Sequence, residues 1–362
     1  MNARAWLEVD LDALLANART LARRAGVPLL PMVKADAYGL GAVPVARALE
    51  SVDPWAFGVA TVAEGEELRA AGITRRILVF TPLLPEDFPA AVAAELTPCF
   101  GDADSVRSWR AAGGGAWHLA IDTGMSRNGV RWTEAGTLDA VLREIPPEGA
   151  YTHFHSAERC DGSRELQEQR FHEALAALPA RPAIVHTENS PAIERCAPRS
   201  RYSVVRPGVF LYGVGSGGDA TVTPRPVVHM RARVAEIRTI EDGESVSYLA
   251  TYRASGRRRI ATVAAGYGDG YRRALGNRGT ALVRGRRAPV VGLVTMDMTM
   301  LDVTDVTCEL GDVATLIGRD GDELLDVASV AAAADSASPY ELLTGLALRL
   351  PREYRGGGGS SA

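Results

Sequence analysis

The stretch LDALLANARTLARRAGVPLLPMVK, residues 11–34, sets two periodicities side by side, and its recurrence decides the fold. Leu11, Leu14, Leu15, Ala18, Leu21 and Ala22 fall on one face of a 3.6-residue period, which predicts a helix over Leu11–Ala25. The run from Pro28 to Lys34 that follows is apolar and too short for a second helix, so it reads as a strand. The same unit recurs. Strand-like runs fall at 56–61, 76–80, 96–100, 117–122, 150–155, 183–188 and 204–212, with helical patterns such as 62–71, 85–95, 133–143 and 163–178 between them. Parallel strands need crossover connections, so eight strands spaced by helices predict a parallel sheet covered by helices. Closed on itself, that sheet is a (β/α)8 TIM barrel of about 200 residues. An open doubly wound sheet is the alternative, but no G-x-G-x-x-G follows the first strand. The reading is an α/β barrel over residues 1–226.

After residue 226 the rhythm changes. Strand-like runs at 227–240, 245–252, 259–264, 279–283, 288–294, 298–303 and 312–317 follow one another closely, with turn residues between. Strands without helices predict a mainly antiparallel β domain over 227–355, carrying two short helices at 324–333 and 340–348. The first ten or so residues are free to join this second domain. Residues 356–362, rich in glycine and serine, read as a flexible tail. Two domains suit a chain of 362 residues.

Composition narrows the partners. With 44 acidic against 40 basic residues the net charge is −4, which gives no electrostatic reason for nucleic acid or an anionic membrane. No run approaches about 18 consecutive apolar residues, so no bilayer-spanning segment is expected. The opening residues, through Arg4, Trp6 and Glu8, place an acid where an apolar signal core would begin, and the expected location is the cytoplasm. Cys99, Cys160, Cys196 and Cys308 lie far apart, which argues for free thiols and against a zinc or dithiol motif.

Barrel active sites lie at the carboxyl ends of the strands. The first strand ends in Lys34, an awkward residue for an apolar strand. Either a carboxylate pairs its ammonium, or the amine is desolvated and serves as a Schiff-base nucleophile. Tyr38, Gly39 and Gly41 behind it suggest a turn where backbone approaches a ligand. Arg127 sits between Gly124 and Gly129, either as a surface turn or as a guanidinium presented to a carboxylate. His153 and His155 share one face of an extended strand. They are either hydrogen-bonded histidines under a loop or two metal ligands of a hydrolase, the third coming from His186 or Asp122. Ser190, followed by Pro191, marks a helix start, and Gly208 follows the last strand; both suit a phosphate. Tyr267, among Gly266, Gly268 and Gly270, either packs a hairpin or carries a proton.

Together these segments resemble the alanine racemase family, fold-type III enzymes that use pyridoxal 5′-phosphate (PLP). The resemblance spans nearly the whole chain through VKADAYGLG, IDTGMSRNG, YTHF, ENS, VRPGVFLYG, GYGDG, VTMDMT and PREY, in that order. It implies racemisation of alanine by two bases, with D-alanine supplied for peptidoglycan. Lys34 would bind PLP covalently and act as one base. Tyr267, supplied by the partner of a homodimer with composite sites, would be the other. Tyr38, Ser190, Gly208, Val209 and Tyr354 would hold the phosphate. Arg206 would face the pyridine nitrogen, and His153 would link Arg206 to the tyrosine. Arg127 and the backbone N–H of Met296 would meet the substrate carboxylate. A PLP-homeostasis barrel is the second reading, and it lacks the β domain. Two positions depart from the family pattern: Ala120 stands where a lysine is usual, and Leu40 replaces a histidine.

Overall fold

The computed structural model describes residues 3–195, 199–218, 220–335 and 338–357. The leading helix occupies Leu11–Ala25, as its periodicity predicts. Asp10 caps it by accepting from the Ala13 N–H at 2.8 Å, and Gly26 ends it in the left-handed conformation. Its face of Leu14, Ala18 and Leu21 is fully buried.

Six parallel strands pair in chain order: Phe57–Val59, Ile77–Val79, Thr97–Phe100, His118–Asp122, Gly149–Tyr151 and Ile184–His186. Two further segments close the ring without forming full strands. Leu29 bridges Val205, Met32 bridges Gly58, and Asn189 bridges Arg206, all in parallel sense. The Leu30 N–H donates to Val205 O, and the Val33 N–H to Gly58 O, each at 2.8 Å. Prolines 28, 31 and 207 remove ladder donors from these segments, which is why the first and eighth strands shrink to bridges. The N-terminal part is the expected barrel, with shorter staves.

The second part is built on a nine-stranded sheet. Its long strand, Val228–Ile240, pairs antiparallel with Ala5–Asp10, Val313–Asp320 and Arg258–Val263. Ala5–Asp10 pairs in parallel with Arg352–Arg355, so both ends of the described chain lie in the C-terminal sheet. Three local expectations change. The 245–252 run splits into Ser245–Val246 and Tyr252–Arg253 around a 3-10 turn at Tyr248–Ala250. The 288–294 strand lies instead at Arg286–Pro289, pairing as a hairpin with Thr280–Val283. The strand Glu323–Leu325 takes the start of the expected 324–333 helix, which begins only after its cap, Asp326. Of the cysteines, Cys99, Cys160 and Cys308 are free, and Cys196 lies outside the described residues.

Candidate active site

Lys34 opens a turn of unusual backbone. Ala35, Asp36, Ala37 and Tyr38 are all left-handed, with φ between 51° and 57°. Each such residue costs about 1–2 kcal/mol, so the turn must be held by its surroundings. The Ala35 N–H donates to Glu64 at 2.7 Å, and the Asp36 carboxylate accepts from the Ala42 N–H at 2.7 Å. Gly39, at φ +84°, lies where a Cβ would come within 2.5 Å of Leu343 O in the helix Pro339–Thr344. Among the described residues no carboxylate makes a salt bridge with Lys34. Burial, then Arg127 and Arg206, push its amine below the ordinary lysine range, with Glu64 opposing. The desolvated-amine reading is the one the geometry fits.

Lys34 faces a cavity of about 710 Å³ that Tyr38, His153, Ser190, Arg206, Gly208, Val209 and Arg127 also line. Ser190 Oγ accepts from the Gly208 N–H at 2.9 Å and the Phe210 N–H at 3.4 Å, which fixes the loop after Pro207. A Cβ on Gly208 would meet the Tyr38 hydroxyl at 2.7 Å, so that close approach needs glycine. Burial pushes the Tyr38 phenol up to about 12, so it enters the cavity as a neutral donor.

Arg206 is buried, 4% exposed, and makes no ion pair among the described residues. Nη1 donates to His186 Nδ1 at 2.9 Å and His186 O at 2.8 Å; Nη2 donates to Thr152 O at 2.8 Å and Thr187 O at 3.0 Å. His153 Nδ1 lies 3.4 Å from Nη2. Among the described residues the Nε–H has no acceptor, which leaves one directed donor over. Burial lowers the guanidinium to about 10, still cationic at neutral pH. Burial and the same cations hold His153 well below its ordinary range, so its imidazole is neutral.

Arg127 projects from a turn knotted by Asp122, whose carboxylate accepts from the N–H groups of Gly124, Met125 and Ser126 at 2.9–3.0 Å. Ala120 is buried against Tyr151 and Cys99, and a gap of only about 10 Å³ remains beside it. A lysine there would not fit without repacking. Leu40 is fully buried.

The metal reading of His153 and His155 loses its geometry. The strand ends at Tyr151, so alternation no longer places the two rings on one face. His155 bonds Ser156 at 2.8 Å, His186 is turned to Arg206, and Asp122 is spent on its turn. Among the described residues no three His, Cys, Asp or Glu side chains gather as metal ligands.

Tyr354 is not brought into the cavity. Its hydroxyl donates to Leu40 O at 3.0 Å, because the strand Arg352–Arg355 is committed to the C-terminal sheet. The tyrosine that does line the cavity is Tyr340, in the first turn of Pro339–Thr344. A tyrosine in an amphipathic helix reads as packing, and the sequence offers no stronger signal for it.

Tyr267 and Met296 stand apart from their own chain's cavity, 41% and 53% exposed. They are held together: the Tyr267 N–H donates to Thr295 O at 2.9 Å and the Gly268 N–H to Met296 O at 2.8 Å. Behind them Asp269, fully buried, accepts from the Gly266 N–H at 2.9 Å, Arg4 at 2.7 Å and Arg349 at 2.8 Å. Arg349 reaches on to Asp297 at 2.8 Å and so joins the two loops.

A desolvated lysine at the mouth of a parallel barrel, opposite two arginines and carried with a β domain, defines a class of barrel enzyme equipped for Schiff-base chemistry on an anionic ligand. Residues 9–216 match the sequence profile of the alanine racemase N-terminal domain, and residues 227–354 that of the alanine racemase C-terminal domain. The alanine racemase of Symbiobacterium thermophilum is 40% identical, with 97% of each chain covered; that of Geobacter sulfurreducens is 39% identical, with 96% of each covered. The crystal structure of alanine racemase from Bacillus anthracis with bound L-Ala-P is 33% identical and superposes at a TM-score of 0.91, covering 99% of this chain and 97% of that one. That from Bartonella henselae with covalently bound pyridoxal phosphate is 29% identical at a TM-score of 0.87, covering 98% and 100%. The chain belongs to the alanine racemase family.

Proposed function

We propose that this chain interconverts L- and D-alanine with PLP held in the cavity, each cavity being completed by a second copy of the chain. The observation that carries the reading is Arg206, a buried guanidinium fixed by four hydrogen bonds with one N–H left over, in the same cavity as a desolvated lysine. The residues present fit the cofactor. Tyr38, Ser190, Gly208, Val209 and Tyr340 offer its phosphate donors and a close backbone approach, and Lys34 offers an amine for its carbonyl carbon. When bound, PLP supplies an electron sink that acidifies the substrate Cα–H.

The chain's own groups divide the work. Lys34 Nζ, free of any carboxylate partner among the described residues, takes or returns the proton on one face of Cα. The Tyr267 hydroxyl of the partner subunit serves the other face, and His153, 3.4 Å from Arg206 Nη2, would link the two. Arg206 would meet the pyridine nitrogen with its remaining Nε–H; a cationic guanidinium does not surrender its proton, so PLP held there would be a weaker electron sink and transamination would be disfavoured. Arg127 and the Met296 N–H bind the substrate carboxylate, the latter again from the partner. Support for the homodimer is the placement of Tyr267 and Met296 off their own cavity, with exposed Tyr248, Leu249 and Met298 nearby. On this reading the barrel, residues 1–226, carries the cofactor, and the β domain, 227–355, completes its neighbour. The product would supply peptidoglycan synthesis in the cytoplasm. Among the described residues no helix is long and apolar enough to cross a membrane.

Purified protein with PLP should be yellow, should racemise alanine from either enantiomer, and should be fixed at Lys34 by borohydride. Failure to racemise any small amino acid contradicts the proposal. Serine differs from alanine by one hydroxyl, and a small pocket discriminates only moderately against it, so slower serine racemisation is expected in the same assay. Arg349→Met should lower turnover and raise KM for alanine together by several-fold while cofactor content holds, because it loosens both loops at once. Unchanged kinetics would show that Arg349 is not what couples them.

A further inference from the structure

We propose that His118 is a positioning residue of the racemase: backed by Glu148, it fixes the tautomer of His186 and thereby aims Arg206 at the cofactor's ring nitrogen. This rests on the assignment of Arg206 to that nitrogen.

A guanidinium has donors only. Arg206 Nη1 lies 2.9 Å from His186 Nδ1, so that nitrogen accepts. A neutral imidazole that accepts at Nδ1 carries its proton on Nε2. His186 Nε2 lies 2.8 Å from His118 Nδ1, so His118 accepts in turn and carries its own proton on Nε2. That nitrogen lies 3.7 Å from Glu148 Oε2, within reach of its charge but beyond hydrogen-bond length, and Arg76 donates to the other oxygen of the same carboxylate. The line runs in one sense only, because reversing it would require Arg206 to accept a hydrogen bond.

Its surroundings keep both imidazoles neutral. Each is 0% exposed. Burial holds His118 below the ordinary histidine range and His186 well below it, while His118 and Arg76 hold Glu148 down to about 2. The line also crosses the barrel. His186 ends the strand Ile184–His186 at the catalytic mouth, whereas Glu148 precedes the strand Gly149–Tyr151 at the opposite end. Space for the His118 ring is reserved: a Cβ on Gly149 would come within 2.3 Å of its Cε1. The His186 ring stacks on Tyr151 at 5.2 Å and 6°, which fixes its plane. Neither His118 nor Glu148 lines the cavity, so neither touches substrate or cofactor. What they add is the direction of the hydrogen bond that Arg206 leans on.

The test combines a tautomer measurement with variants. In holoenzyme carrying 15N-labelled histidine, His186 should show a protonated Nε2 and a bare Nδ1. Finding Nδ1 protonated, or both nitrogens, overturns the proposal without any variant. His118→Leu removes the acceptor for His186, and it should shift the absorbance of bound PLP and weaken PLP binding about tenfold, the factor one charge-assisted hydrogen bond is worth. His118→Gln supplies an amide oxygen in its place and should restore both readouts. A merely structural role would lower the melting temperature of both variants and leave cofactor absorbance and affinity at wild-type values, which also overturns the proposal. If the leucine variant does not fold, Glu148→Leu, at a partly exposed position, should shift the same readouts in the same direction, and no shift there is the contrary result. Arg206→Lys separates the two assignments. If it leaves the cofactor spectrum unchanged, the placement of Arg206 on the ring nitrogen fails. If it changes the spectrum and His118→Leu does not, only the positioning role fails.

Discussion

Lys34→Ala is expected to lose alanine racemisation by at least about a thousandfold, because in the proposed mechanism one residue supplies both the covalent anchor of the cofactor and one of the two bases. The loss should fall on kcat in both directions, since racemisation in either sense uses both faces of Cα. Cofactor binding should weaken without vanishing, because the proposed phosphate cradle of Ser190, Gly208 and Tyr38 is left intact. Borohydride should then fix no cofactor to the chain. The fold should survive, since Lys34 is partly exposed at the cavity and makes no salt bridge among the described residues. Racemisation measured from L-alanine and from D-alanine, with borohydride labelling followed by peptide mapping, checks each part. Labelling at another lysine would move the anchor.

Tyr267→Phe should produce a different defect. One ring oxygen is lost from an exposed turn, so folding, cofactor content and covalent attachment at Lys34 should all hold. Removing a positioned acid–base group costs about 10²–10⁴ in rate, and racemisation should fall by that much in both directions. Proton exchange should not fall equally. In deuterated water the Cα–H of one enantiomer, reached by Lys34, should still exchange, while that of the other should not. Equal exchange of both enantiomers would mean that Tyr267 is not the second base.

The barrel was legible because its signal is repetitive: apolar runs too short for helices alternate with amphipathic stretches. Lys34 was legible because it contradicts its own strand, and local contradictions of pattern concentrate at functional sites. Other features have no local signal. Ala5–Asp10 and Arg352–Arg355 are neighbours across almost the whole chain, a pairing no short-range pattern encodes. The left-handed turn from Ala35 to Tyr38 opposes the preference of every residue in it and exists only because Glu64 and the helix Pro339–Thr344 hold it. Tyr354 and Tyr340 show the limit of motif matching. Both are tyrosines near the C-terminus, and only the packing of Pro339–Thr344 against the Lys34 turn brings Tyr340 to the cavity. His118 carries no signal of its own and His186 reads only as an alternative metal ligand, because their roles depend on facing each other across the barrel interior.

The central claim is that each active site joins Lys34 of one chain to Tyr267 of another, and mixing two inactive variants tests it most directly. Lys34→Ala and Tyr267→Phe chains, unfolded together and reassembled, should form a mixed dimer with one site defective in both residues and one site wild-type in both. Equal mixing should therefore restore about a quarter of wild-type racemisation, since about half of the dimers are mixed and each has one working site. Activity that stays at the level of the separate variants, with mixed dimers demonstrably present, would place both bases on a single chain and contradict the account.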